Sequence, residues 1–230
     1  MIDQRYETRI VAYGDIIGWT DKCCKDGKEF DKCLKALTGM ARHADGFAPA
    51  AKKALAGTPQ LLPNQEIEKH KSVEFSLFSD NFAIFAPVEH ADGVFRILSW
   101  RITNLLQNGF IVRGGVTIGQ LYHSFKIIFG PALVEAVDIE KDARFPRFLC
   151  SHGLLEYLED KSYKDQVIFQ DCYEDWVVNT FWYDRGSHLY DLLINKIQQE
   201  ILRMTKEKDI RKWQYMERML PKMHELKGMF

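Results

Sequence analysis

The chain lacks the patterns that mark a disulfide scaffold, a zinc module or a membrane span. It has five cysteines in 230 residues. They are scattered at Cys23, Cys24, Cys33, Cys150 and Cys172 without a C-x-x-C pair. That usage argues against a disulfide framework or zinc knuckle and suits a reducing cytoplasm. No apolar run approaches the roughly 20 residues of a membrane span. The opening Met1-Ile2-Asp3-Gln4-Arg5 is polar and starts no signal-peptide core, so a soluble cytoplasmic protein is expected. An excess of either charge is missing too: 31 Lys and Arg against 32 Asp and Glu leave a formal net charge of −1. Without a basic block there is no reason to expect a dedicated nucleic-acid binder. An anionic ligand would have to be held by local groups.

Several catalytic signatures are absent as well. Gly114, Gly115 and Gly119 make neither G-x-G-x-x-G nor a Walker loop. No H-E-x-x-H pair occurs, no serine sits in a G-x-S-x-G elbow, and no cysteine has a local nucleophile signature. What remains is an ordinary globular composition, 46% hydrophobic and 27% charged.

Periodicity orders the chain. Residues 8–14 read as a buried strand running into Asp15. Residues 28–44 carry Phe30, Cys33, Leu34, Leu37, Met40 and Ala41 at helical spacing. The stretch 45–71 has no clean period and reads as a long connection. Val73, Phe75 and Leu77 alternate with polar residues, Phe82–Phe85 follows, and Asp80-Asn81 lies between at a tight hairpin. A helix over 92–108 shows Val94, Ile97, Leu98, Ile102 and Leu105 on one face, closed by Gly109. A strand then runs from Phe110 through Ile118.

The order strand, helix, strand, strand, helix, strand predicts an α+β fold. It is the ferredoxin-like βαββαβ arrangement, with helices on one face of an antiparallel sheet. Further strands are expected at 126–129, 147–150 and 166–170, with a helix opened by Pro131. Two amphipathic stripes follow Ser187: Leu189, Leu192, Leu193, Ile197 and Ile201, then Ile210, Trp213, Met216 and Leu220. The chain accordingly divides into a core over 1–180 and a helical extension over 181–230.

Asp15 and Asp80 are the candidate catalytic pair. Each stands where an apolar strand meets solvent, and this topology sets the end of strand one beside the hairpin. Two adjacent carboxylates can hold a pair of divalent cations and drive in-line displacement at phosphorus. The structural alternative makes Asp15 a strand-end residue and Asp80 a turn former. Gly18 permits close backbone approach, and the amides of Ile17, Gly18, Trp19 and Thr20 could form an anion-binding nest. Arg113, before Gly114-Gly115, is either a phosphate ligand or a surface ion-pair residue.

Over roughly residues 8–170 the chain resembles the class III nucleotidyl cyclase family. Asp15-Ile16-Ile17-Gly18-Trp19-Thr20 is similar to its D-I-x-G-F-T motif and Ser79-Asp80 to its G-D hairpin. Arg113-Gly114-Gly115-Val116 is similar to its R-x-G-I strand, and Gly130-Pro131-Ala132-Leu133-Val134 stands at its G-x-x-V-N. The resemblance implies that 1–180 is a cyclase catalytic domain. Asp15 and Asp80 would bind two Mg²⁺ or Mn²⁺ ions with help from the Ile16 carbonyl, and a homodimer would share its active sites. The purine-reading lysine corresponds to Ser76, and the acidic base reader to Ile127 or a neighbour. The transition-state asparagine and arginine fall on Val134 and Asp138, so those roles are lost or moved to Arg113, Arg144 or Arg147.

Metal ligands kept and purine readers lost resemble the pyrimidine cyclases of bacterial Pycsar antiphage defence. That resemblance implies conversion of UTP, or second CTP, to a cyclic nucleotide that activates a separate effector protein. The alternatives are a purine cyclase and a cyclase-like module that binds nucleotide without turnover.

Overall fold

The structure is a computed structural model, and it describes residues 6–23, 29–40, 72–124, 127–182 and 187–226. The connection expected over 45–71 lies outside the described residues, as do 41–44 and 126.

In chain order the elements begin with β1 (Glu7–Ile17), α1 (Trp19–Cys23) and α2 (30–40). Next come β2 (Glu74–Phe78), β3 (Asn81–Pro87), α3 (Ala91–Gln107) and β4 (Ile111–Ser124). Then follow β5 (Ile127–Phe129), α4 (Pro131–Asp142), β6 (Phe148–Cys150), α5 (His152–Leu158) and α6 (Lys164–Val167). The last are β7 (Ile168–Gln170), β8 (Trp176–Val178), α7 (Ser187–Arg203) and α8 (Glu207–Glu225). The sheet order is β2-β3-β1-β4-β6-β8-β7, with β5 paired to β4 off this path. β1 runs antiparallel to both β3 and β4. The first four strands thus have the ferredoxin-like order expected of the α+β fold, and β6, β8 and β7 widen it.

Helices cover both faces, which corrects the one-face expectation. Ile10, Val11 and Ala12 are all fully buried, so β1 meets apolar side chains above and below. Ile10, Ala12 and Ile16 share a core with Val94, Phe95 and Leu98 of α3. Val11 belongs to a second cluster with Ala83 and Phe85 and with Ala132 and Ala136 of α4. A continuous apolar run such as Ile10-Val11-Ala12 is what a strand buried on two faces requires.

The C-terminal helices pack into the larger core. Leu193 and Ile197 of α7 join it, as do Trp213, Met216 and Leu220 of α8. Leu192 falls off its expected stripe and is exposed, because it lies about 100° around the helix from Leu193. A disulfide between Cys23 and Cys33 ties α1 to α2. It departs from the reading of scattered, unpaired cysteines, since pairing across two helices leaves no local spacing motif.

Candidate active site

The site is built where β1 ends. β1 continues two residues past Asp15, because Asp15 pairs with Asn81 of β3 on one side and Arg113 of β4 on the other. Ser79 and Asp80 form the two-residue turn between β2 and β3. The Ile16 N–H donates to the Asp80 carbonyl at 2.9 Å, locking the hairpin to β1. Tyr13 Oη donates to Asn81 Oδ1 at 2.7 Å, and Asn81 Nδ2 donates to Asp80 Oδ1 at 3.2 Å. Asp15 and Asp80, 65 positions apart in sequence, therefore meet at one end of the sheet.

Arg113 Nε donates to Asp15 Oδ2 at 3.3 Å. The same nitrogen lies 2.6 Å from Glu140 Oε1 of α4. This second contact is a charge pairing without hydrogen-bond alignment, so the Glu140 oxygen has no aligned donor. Gly115 lets α4 come this near: a Cβ there would stand 2.5 Å from the Ala136 carbonyl oxygen. Sequence reasoning missed Glu140. Its signal would have been the helical phase that turns it inward with Ala132 and Ala136.

The electrostatics are strained. Burial pushes the Asp15 carboxyl above its ordinary pKa; Arg113 opposes the shift and the Asp80 charge adds to it. Glu140 is raised as well, by burial first, with Arg113 opposing and Asp15 adding. A cation between Asp15 and Asp80 would relieve their repulsion, and their hard oxygen donors suit Mg²⁺ or Mn²⁺. Among the described residues, no group of three or more His, Cys, Asp or Glu side chains makes a closed cage. Two carboxylates fit an ion that keeps water and substrate oxygens in its shell. Ile16, the expected carbonyl ligand, is pinned between the strands by its N–H bond to Asp80.

The phosphate-loop candidates follow directly. Ile17 ends β1, and Gly18 turns the chain at φ +75°. Trp19 begins α1 with its ring 5.6 Å from that of Phe110, and Thr20 is exposed. Ser76 is half-buried on the edge strand β2 opposite Ala83. Ile127 and Val134 are 60% and 62% exposed, and Asp138 pairs in solvent with Lys141 at 2.7 Å. Arg144 is exposed. Arg147 corrects the idea that it could take over a displaced role. Its guanidinium is buried against Asp171 at 2.6 Å and Asp175 at 2.8 Å.

No family model matches the chain, and no curated protein does. Solved structures with a similar course include the adenylyl cyclase CyaB from P. aeruginosa. It is 12% identical, with a TM-score of 0.49, over 74% of this chain and 86% of that one. Another is the guanylyl cyclase domain of the RhoGC fusion protein from the aquatic fungus Blastocladiella emersonii. It is 13% identical, with a TM-score of 0.49, over 76% of this chain and 96% of that one. A bacterial light-regulated adenylyl cyclase is 11% identical, with a TM-score of 0.48, over 87% of this chain and 59% of that one.

Proposed function

We propose that this protein is a nucleotidyl cyclase that uses a pyrimidine nucleoside triphosphate, UTP first and CTP second. The observation that carries the reading is the meeting of Asp15 and Asp80 beside the open turn at Gly18. In the reaction, the ribose 3′-hydroxyl oxygen attacks the α-phosphorus and releases its proton to solvent, the bond from that phosphorus to the oxygen bridging to the β-phosphate breaks, and pyrophosphate leaves. Bound Mg²⁺ or Mn²⁺ would supply Lewis acidity at the attacking and leaving oxygens. The chain's own part is to hold the two carboxylates in register through the Ile16 and Tyr13–Asn81 hydrogen bonds. Arg113 partly opposes the burial that disfavours the Asp15 charge.

Ser76 in place of a purine-reading lysine supports the pyrimidine assignment. Exposed Tyr6, Phe129 and Val134 around a groove of about 710 Å³ support a homodimer. In this reading 1–180 is the catalytic domain, the protein is cytoplasmic, and its product acts as a messenger in antiphage defence through a separate effector. No helix among the described residues is long and apolar enough to cross a membrane.

The test is incubation of purified protein with Mn²⁺ and each of the four NTPs, followed by mass spectrometry. Cyclic UMP, or cyclic CMP, is expected. Cyclic AMP or GMP alone would refute the pyrimidine assignment, and no cyclic product at all would refute catalysis. Val134 and Asp138, in the places of the transition-state asparagine and arginine, favour a second reading, a nucleotide-binding module without turnover.

A further inference from the structure

A cavity of about 280 Å³ opens beside the end of β1, between Ile17 and Gly18 on one side and the turn joining α7 to α8 on the other. Arg203 at the end of α7, Lys206 in the turn and Lys212 in α8 line it, so its cations outnumber its carboxylates, Asp21 and Asp209. We propose that this turn receives the triphosphate tail of the substrate, with Lys206 and Lys212 as cations and the backbone at Gly18 as floor. The identity of the substrate rests on the cyclase reading; the polyanion site itself rests on four observations.

The first is space. A Cβ built at Gly18 meets no atom within 4 Å, so the backbone there is open to a ligand. The cavity falls just short of the roughly 300 Å³ at which pockets begin to hold a whole drug-sized ligand. Its size suits a phosphate tail better than an entire nucleotide.

The second is position. Lys212 lines the same cavity as Ile17 and Gly18, the second and third residues after Asp15 in the chain. It therefore stands beside the groups proposed to hold the metals. Packing sets it there: the next residue, Trp213, is 2% exposed in the core.

The third is that its cations are weakly engaged. Lys212 lies 3.5 Å from Asp209, and Lys206 lies 3.5 Å from Asp21 in a pair more than half exposed on both sides. The exposed Lys206–Asp21 pair contributes little and exchanges readily for a multivalent anion, and the more buried Lys212–Asp209 pair is held only at the same long distance.

The fourth is a contrast with Lys22. It also lines the cavity, but its ammonium is turned onto the Gly109 carbonyl and the Phe110 ring. Burial pulls it down to about 8. Lys22 is thus a packed residue, and Lys206 and Lys212 remain to meet the anion. The helical extension then supplies cations to the active site.

The test measures binding, so it does not depend on turnover. The full chain is titrated calorimetrically without metal, using inorganic tripolyphosphate, UTP and UMP, at low and high salt. Lys206→Gln and Lys212→Gln should each weaken tripolyphosphate and UTP roughly tenfold, the loss of one charge-assisted contact. UMP affinity should not change, and Lys212→Arg should restore most of the loss. Lys208→Gln, an equal charge change at an exposed position on the same helix, should have no effect. Undetectable tripolyphosphate binding by the wild type would overturn the proposal. So would wild-type affinity in K206Q, whose exposed side chain cannot unfold the protein, together with K212Q at unchanged Tm. If the lysines control polyphosphate binding but no NTP yields a cyclic product, the cyclase reading fails and this site stands.

Discussion

Arg113 and Arg147 each lie between two carboxylates, but their surroundings differ. Arg147 is 6% exposed and reaches Asp171 and Asp175. Tyr215 Oη also donates to Asp171, at 2.7 Å. The ring of Phe145 stacks on those of Tyr173 and Tyr215 at 4.8 and 5.2 Å beside it. Burial alone would raise the Asp171 pKa, but the hydrogen bonds from Tyr215 and Arg147 outweigh it and hold it below the ordinary value. At Arg113 the balance is reversed: Asp15 and Glu140 are both raised because one half-exposed guanidinium does not offset burial and mutual repulsion. One cluster closes upon itself. The other carries unspent negative charge, the state expected of carboxylates waiting for a cation.

The largest expected effect tests the open cluster. Asp80→Ala or Asp15→Ala should lower cyclase turnover by roughly a thousandfold or more, the scale of losing a principal electrostatic element of a site. Circular dichroism and Tm should stay near wild type, because neither side chain belongs to the core. Retained activity in either variant would remove the metal assignment.

The closed cluster should respond in stability. Asp171→Ala leaves Arg147 buried with only Asp175 nearby, and breaking such a pair costs about 3–5 kcal/mol. In a chain of this size that lowers Tm by roughly 10 °C. The acid response follows from the sign of the shift. Asp171 is depressed in the fold, so its contribution is full above the unfolded carboxylate value and fades as pH falls through its folded value. D171A should therefore match wild type in strong acid and lose most near neutrality in urea titrations. A uniform deficit at all pH values would mean that packing, not charge, holds the cluster.

The two clusters also differ in how legible they are in sequence. β1, the hairpin and β4 announce themselves through apolar runs and turn residues, so the ferredoxin-like order and the approach of Asp15 to the hairpin can be read directly. The Arg113–Glu140 contact cannot, because it depends on α4 lying on the second face and on the missing Cβ of Gly115. Nor can the Arg147–Asp171–Tyr215 cluster. It joins β6, the loop after β7 and α8, elements brought together only by the widened sheet. β8, Trp176–Val178, is not among the expected strands. Lys212 hid for a related reason: in a charged amphipathic helix, a cation beside the site looks like any solvated lysine.

A smaller effect sharpens the comparison from the side of the open cluster. Asp15 is raised in the fold, so its charged form is disfavoured above that value, the opposite sign to Asp171. D15N should therefore remove turnover and yet raise Tm slightly near neutrality, the trade-off of a site kept for function. The gain should shrink as pH falls through the folded Asp15 value and disappear below the unfolded one. Thermal melts between pH 3 and 8 would show it. A loss of Tm at neutral pH would mean that Asp15 chiefly anchors Arg113.

The smallest effect concerns the turn that presents Asp80. Ser79 has φ +57°, at the first central position of a two-residue hairpin, where a positive φ matches the strand twist. Glycine adopts that conformation freely, whereas a side chain there is strained on the order of 1 kcal/mol. Ser79→Gly relieves the strain but loosens the unfolded chain, so the net gain should be about 0.5 kcal/mol. Ser79 is exposed, so the change disturbs no packing and leaves the Ile16 to Asp80 hydrogen bond in place. Denaturant midpoints measure the gain, and turnover should hold within about twofold. If S79G instead lowers turnover sharply at higher stability, the strained turn itself sets the position of the Asp80 carboxylate. The open cluster would then depend on backbone geometry as much as on charge.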